Sequence, residues 1–120
     1  MTEKSEKFKN RLVQLTVNII NQLKKLNKTS ENLIFLKQII RSSSSVGANY
    51  QESQHAHSKK EFIQKLNISL KESSETIYWL ELIEAVNKIN LNTIKSEAIE
   101  IRKILTSIIK TTKLNLKSEI

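Results

Sequence analysis

The sequence predicts an all-α protein built as an antiparallel, up-down-up-down four-helix bundle. Its 120 residues include one glycine and no proline, so the composition contains almost nothing that interrupts a long helix. Apolar residues recur at intervals of three and four along four segments, and no stretch alternates as a strand would. The short links between the segments favour helices packed side by side, and the length suits one domain over residues 1–120.

The first two helices are predicted over residues 4–27 and 31–53, with Ser30 as the N-cap of the second. Each has an apolar stripe expected to face the core. In the first helix the stripe comprises Phe8, Leu12, Leu15, Ile19 and Leu26, widened by Val13, Val17, Ile20 and Leu23. In the second helix it comprises Leu33, Leu36, Ile40, Ser43, Gly47 and Tyr50.

The third and fourth helices are predicted over residues 59–87 and 93–114. Ser58 and Glu61 form a capping box, in which each side chain accepts from a backbone amide at the helix start. The third helix presents Ile63, Leu66, Leu70, Ser73, Ile77 and Leu80, extended by Trp79, Leu82, Ile83 and Val86. The fourth presents Ile94, Ala98, Ile101, Leu105 and Ile108, with Ile104 beside them.

Composition also bears on where the protein works. The chain has no cysteine, which rules out disulfides and thiolate metal sites and is typical of a reducing cytosol. Its charged first residues do not form a signal peptide, and no apolar run approaches the roughly 18 residues of a membrane span. We therefore expect a cytoplasmic protein without a membrane partner.

Charge is positive overall and unevenly distributed. The formal net charge is +8, residues 1–41 carry nine Lys or Arg against three Glu, and residues 72–87 carry four Glu and no cation. A basic surface favours nucleic acid as a partner, because Lys and Arg that neutralise phosphates release counterions. The alternative is a lysine-rich surface that only keeps the helices soluble. The acidic stretch on the third helix is expected to face a basic neighbouring subunit.

The sequence contains no convincing catalytic set. Glu52 and His55 have the Glu-x-x-His spacing of di-iron bundles, but such sites need two of these pairs and two further glutamates, and the chain has only two histidines. The serines at 42–45 lack a nucleophile turn and a paired base, and one glycine cannot build a phosphate-binding loop. We expect no enzyme activity, no metal, no cofactor and no small-molecule substrate.

Small residues at positions 42–53 predict a packing seam, because they let another helix approach closely. Arg41 and Glu52 share one helical stripe with Ser45. Two interpretations are open for them. One is a hydrogen-bonded polar layer that fixes the helix register or the contact with a neighbouring subunit, and the other is a recognition patch on the surface. Trp79 lies in the acidic stretch, where packing is more plausible than base stacking. The predicted structural or subunit-interface residues are Arg41, Ser45, Gly47, Asn49, Glu52, Glu75 and Trp79.

A basic stripe on the fourth helix marks the expected nucleic-acid contact. Lys103, Lys110 and Lys117 recur every seven residues, with Lys113 between them. In an antiparallel bundle the start of the first helix, with Lys4, Lys7 and Arg11, lies at the same end. No base-reading side chains accompany the stripe, so binding should involve phosphates and show weak sequence preference.

Several of these segments resemble a known family. They are Gln38, Arg41 and residues 42–52 (SSSSVGANYQE), 60–68 (KEFIQKLNI) and 75–82 (ETIYWLEL). They are similar to the four-helix-bundle proteins first met as reading frames within intervening sequences of 23S ribosomal RNA genes. The resemblance implies a ring-shaped homopentamer, and related accessory proteins of diversity-generating retroelements use a basic ring to engage nucleic acid and a reverse transcriptase. Ser53 and residues 69–73 depart from the commonest pattern, which suggests a subfamily.

Two functions are compatible with these observations. In the first, the protein is a basic, non-enzymatic homo-oligomer that serves as a scaffold or accessory factor and associates with RNA or DNA. In the second, it is a protein-binding or structural homo-oligomer whose positive charge has no role in nucleic-acid binding. Binding of labelled RNA and DNA across a salt series separates them, because phosphate contacts impose a steep salt dependence.

Overall fold

The computed structural model describes residues 1–118 and contains four α-helices over that range. They are α1 (Glu3–Leu23), α2 (Ser30–Ser53), α3 (Lys59–Asn87) and α4 (Asn92–Ser118). Each helix packs on two others in the cyclic order α1–α2–α3–α4; the α2–α3 contact is the most extensive and the α1–α4 contact the least. The described residues form an elongated bundle of 54 × 21 × 21 Å. The predicted all-α class with four helices is confirmed.

Side-chain contacts show which helix ends lie together. Ser5, near the start of α1, bonds Tyr50 and Gln54 at the end of α2. Asn32, near the start of α2, exchanges two amide hydrogen bonds of 2.9 Å with Asn87 at the end of α3. The open seam is the one between α1 and α4, the helices that are farthest apart in the sequence.

The cap of α2 and the ends of α1 and α4 differ from the prediction. Thr29 caps α2 by accepting from the Asn32 amide at 3.1 Å, so Ser30 is the first helical residue and not the N-cap. Helix α1 ends at Leu23, because Leu26 N–H turns back to the Leu23 carbonyl instead of continuing the helix. Helix α4 continues past residue 114 to Ser118.

The start of α3 closely follows the predicted capping box. Ser58 Oγ accepts from the Glu61 amide at 3.0 Å, while the Glu61 carboxylate accepts from the amide of His57. The end of α3 is unusual, since Lys88 has a left-handed conformation with φ 53°. A lysine in this region carries a steric cost that glycine would not.

The core combines the expected apolar side chains with buried hydroxyls. Ser42 and Thr76 bond each other at 2.9 Å across the α2–α3 contact, and Ser69 donates to the Val46 carbonyl at 2.7 Å. Because every one of these hydroxyls has a partner, the serines fill space between closely packed helices without leaving a buried polar group unpaired. The buried apolar residues include Leu12, Leu15, Ile19, Ile39, Val46, Leu66, Leu80, Ile83, Ile101 and Leu105.

The inward face of α2 coincides only in part with the predicted stripe, of which Ser43 and Tyr50 are buried. Leu33 is 54% exposed, whereas Ile39 and Val46 are fully buried. The true inward face includes Ser42 and Ser53, polar residues that an apolar pattern does not count. Three other positions assigned to the core are also largely exposed, namely Val13, Val17 and Val86.

Candidate nucleic-acid interface

An open groove separates the start of α1 from the C-terminal half of α4. Its volume is about 590 Å³, and it is lined on the α4 side by Ile104, Ser107 and Ile108. Lys4 and Lys7 line the α1 side. The groove exists because the α1–α4 seam is the least extensively packed in the bundle.

The lysines assigned to α4 surround this end of the molecule. Lys103 and Lys110 are exposed and lie one turn on either side of Ser107 along α4. Lys110, Lys113 and Lys117 border a second hollow of about 350 Å³, whose remaining lining includes Ile109 and Leu114. Lys4 and Lys7 share the groove with Ser107, which Lys103 and Lys110 flank along α4, whereas Lys113 and Lys117 lie further along α4 than the groove itself.

Arg11 is paired with a carboxylate of another helix, whereas Lys7 and Lys9 are paired with Glu3 and Glu6 within α1. Its guanidinium makes two hydrogen bonds to Glu97 of α4, from Nε at 3.1 Å and from Nη2 at 2.7 Å. The bond to Glu97 raises the pKa of Arg11 above its ordinary value, outweighing partial burial. Arg11 thus joins α1 to α4, and much of its charge is already compensated by a carboxylate.

The floor of the groove is largely closed to a base. Phe8 is buried and meets Tyr50 edge-on with ring centroids 4.9 Å apart. The Tyr50 hydroxyl bonds Ser5 Oγ at 2.8 Å, and Ser5 also donates to Gln54 at 2.7 Å. Because these aromatic and polar groups are used within the bundle, the exposed lysines are the main candidates at this end for an anionic ligand, and Lys7 would meet it beside Glu3, which lies 3.6 Å from its Nζ.

The proposed interface residues of α2 and α3 make contacts within the chain. Arg41 bonds Glu72 at 3.1 Å and also bonds Glu75, whose carboxylate accepts from Trp79 Nε1 at 3.0 Å. The Trp79 hydrogen bond, followed by the bond from Arg41, lowers the pKa of Glu75. This cluster joins α2 to α3 through ion pairs of a half-exposed arginine, and Glu52, the other residue of the predicted polar layer, is not part of it.

The other residues of that set are placed as follows. Asn49 donates to the carbonyl and hydroxyl of Ser45 within α2. Glu52 meets Lys65 of α3 at 3.5 Å, which is not part of the Arg41 cluster. Gly47 lies on the opposite side of α2, against Leu12 of α1. The predicted interface set therefore divides between the α2–α3 contact, which Arg41 and Glu52 make, and the α1–α2 contact, where Gly47 lies.

Long-range ion pairs are the features that the sequence did not reveal. Glu84 accepts from Lys95 Nζ at 2.5 Å and from the Leu91 amide at 2.7 Å, which lowers its pKa. Together with the pairs at Glu72 and Glu75, this means that three of the four glutamates in the acidic stretch bind cations of their own chain. Of these ion pairs, only Glu84–Lys95 could have been anticipated from the sequence, because the two residues lie close to each other on either side of the short α3–α4 link.

The Glu-x-x-His pair does not form part of a larger cluster. Gln51 contacts His55 at 3.3 Å. Within residues 1–118 no three His, Asp or Glu side chains come together in an arrangement able to hold a metal ion. None of the helices in that range is both long enough and apolar enough to cross a membrane.

These features define a class of small four-helix-bundle proteins. The chain belongs to the 23S rRNA-intervening sequence protein family, whose model matches residues 4–107. A crystal structure at 1.70 Å of a protein of unknown function from the S23 ribosomal protein family of Bacteroides thetaiotaomicron is similar, with 41% identity and a TM-score of 0.79. The similarity covers 89% of this chain and 98% of that one. No curated protein sequence matches the chain.

Proposed function

We propose that this protein is a cytoplasmic, non-enzymatic homo-oligomer that associates with RNA or DNA through phosphate contacts and acts as a scaffold or accessory factor. The observation that carries the proposal is the group of exposed lysines around the α1–α4 groove. Lys4 and Lys7 line it, and Lys103 and Lys110 flank it on α4. Several cations within reach of one polyanion favour binding through counterion release.

The proposal includes an up-down-up-down helix order and a ring of subunits, with a pentamer favoured by the family resemblance. The contacts of Ser5 with Tyr50 and of Asn32 with Asn87 support antiparallel neighbours, since each joins a helix start to a helix end. A ring would repeat the basic end of each bundle around one rim. Repetition would raise the effective concentration of lysines along a bound strand.

Replacing Lys103, Lys110, Lys113 and Lys117 together by Gln tests the nucleic-acid role. We expect weaker binding to all RNA and DNA sequences alike. Each phosphate contact removed should flatten the plot of log affinity against log salt by about 0.7–0.9. Fluorescence anisotropy of labelled oligonucleotides across a salt series measures both quantities, and circular dichroism and sedimentation check that helicity and oligomer size are unchanged.

A matched control removes the same charge at the other end of the bundle. Lys24, Lys25, Lys28 and Lys37 are all exposed, and their replacement by Gln also lowers the net charge by four. If both variants lose affinity equally, binding responds to net charge and the assigned surface is wrong. If neither loses affinity, or the parent protein does not bind saturably, the nucleic-acid role is refuted and the purely protein-binding oligomer is left.

A further inference from the structure

Arg11 brings a guanidinium to the α1–α4 groove, and a carboxylate of the opposite helix occupies its donor edge. Arg11 Nε donates to Glu97 Oε2 at 3.1 Å, and Arg11 Nη2 donates to Glu97 Oε1 at 2.7 Å. Two parallel bonds of this kind match a planar guanidinium to two oxygens of one anion, and a phosphate presents the same pair of oxygens. The acceptor that Glu97 supplies is therefore one that nucleic acid also carries.

The position of Arg11 on α1 continues the row formed by two lysines of the groove. Lys4, Lys7 and Arg11 are separated by three and four residues, so they lie along one face of α1, and all three line the groove. Arg11 is about 6 Å further along the helix axis than Lys7. Since a nucleic-acid strand carries a phosphate at every nucleotide, a strand held by the lysines also brings a phosphate to Arg11.

The bond between Arg11 and Glu97 is of a kind that a ligand can replace at small cost. The two side chains are 40% and 36% exposed, so both charged groups remain in contact with water. Breaking an ion pair this exposed changes an equilibrium constant by up to about fivefold. The released carboxylate of Glu97 would be solvated and not left unpaired in the core, where the cost would be far larger.

We propose that Glu97 occupies the place of a phosphate on Arg11, and that RNA or DNA entering the α1–α4 groove displaces it. This inference rests on the proposed function and adds two roles to it: Arg11 is a bidentate phosphate site, and Glu97 is the residue that weakens binding there. In the free protein the carboxylate of Glu97 blocks the site. In the complex Arg11 binds a phosphate through Nε and Nη2, and Glu97 turns to solvent.

This competition between carboxylate and phosphate selects the class of ligand. Glu97 is tethered beside Arg11 and therefore competes at a high effective concentration, which a single phosphate group in solution does not have. A polyanion that is already held at Lys4 and Lys7 is tethered as well, so its phosphates compete with Glu97 on similar terms. The site thus favours a strand with several phosphates over a free nucleotide.

Glu97→Gln tests the competition, with Glu100→Gln as the matched control, and each variant raises the net charge by one. Glu100 is exposed one turn further along α4 and acts on Arg11 through its charge, whereas Glu97 also bonds it. We expect Glu97→Gln to bind a labelled single-stranded RNA of mixed sequence up to about fivefold more tightly than the parent. Glu100→Gln should show a clearly smaller gain. Fluorescence anisotropy measures the affinities, and circular dichroism checks that both variants are folded.

The salt dependence of binding is a second readout, which a purely structural tie between α1 and α4 would not change. A displaced Glu97 takes up a cation from solution and so cancels one counterion that the RNA releases. Removing this carboxylate should therefore steepen the plot of log affinity against log salt by about 0.7, the value for one contact to a single strand. Glu97→Gln combined with Arg11→Gln has the parent net charge and lacks the phosphate site, so its affinity and slope should return to the parent values or below.

Two results would overturn the inference while leaving the proposed function intact. In the first, the parent binds RNA but Glu97→Gln has the same affinity and slope as Glu100→Gln, so that the bond to Arg11 only ties α1 to α4. In the second, the gain persists when Arg11→Gln is added, which shows that net charge and not Arg11 is responsible. If neither the parent nor Glu97→Gln binds RNA or DNA saturably, both the inference and the nucleic-acid role are refuted.

Discussion

Gly47→Ala should stabilise the isolated subunit, although the only glycine of the chain lies at a helix–helix contact. Gly47 is in the interior of α2 and does not have a positive φ. A methyl group added there would lie 3.5 Å from Leu12 Cβ, an ordinary van der Waals distance. The packing of α1 on α2 therefore does not require glycine, and alanine should fit without displacing either helix.

The magnitude follows from helix propensity. Glycine within a helix is about 1 kcal/mol less favourable than alanine, because the unfolded chain loses more backbone freedom. With no clash to oppose this term, the free energy of unfolding should rise by about 0.5–1 kcal/mol, equivalent to a few degrees in Tm for a chain of this length.

Urea unfolding followed by circular dichroism measures this rise in the free energy of unfolding. The protein concentration is kept low enough that the midpoint no longer depends on it. Ala48→Gly is the matched control, since Ala48 is the exposed neighbour in the same helix and its replacement should lower stability by a similar amount. A destabilised Gly47→Ala variant would refute the reasoning, because it would show that α1 and α2 cannot accept one methyl group at this contact.

Three further changes test individual contacts. Lys88→Gly should raise the free energy of unfolding by about 1 kcal/mol, because it relieves the left-handed lysine at the end of α3; a thermal melt that is unchanged or lower contradicts this. Glu84→Gln should cost about 1 kcal/mol at neutral pH through the weakened bond to Lys95. Since the pKa of Glu84 is lowered in the folded state, its contribution is present above the unfolded pKa and disappears as pH falls through the folded pKa, so urea midpoints of variant and parent should converge in acid. Arg41→Ala should cost no more than about 1 kcal/mol and leave oligomer size unchanged, because Arg41 is half exposed and bonds carboxylates of its own chain; sedimentation showing dissociation would place it in a subunit contact instead.

The helices themselves were predictable because their signals are local. Spacing by three and four residues, the near absence of glycine and proline, and the Ser58 cap all act over a few residues, and all four helices were located from them. Which residues of α2 face the core was not fully predictable in the same way. Its inward face includes Ser42 and Ser53, which become acceptable in a core only when specific hydroxyl partners lie opposite them, and that information resides in other helices.

The candidate site shows the same limit. The lysine spacing on α4 located a basic stripe, because charge and helical period are both visible in one segment. Arg11 was grouped with those lysines by its position on α1, yet its partner Glu97 lies 86 residues away. An ion pair of that kind depends on which helices become neighbours, so a count of charges overestimates how many cations remain available to a ligand.

Some apolar residues that were predicted to be buried are exposed, and their positions describe the surface of the bundle. Periodicity identifies side chains that prefer to leave water, but it does not say whether the surface that covers them belongs to the same chain. On α1 the predicted stripe was wider than the buried face by Val13 and Val17, and on α3 by Val86. Apolar pattern in excess of the bundle's own core is what a contact with another molecule adds to a sequence.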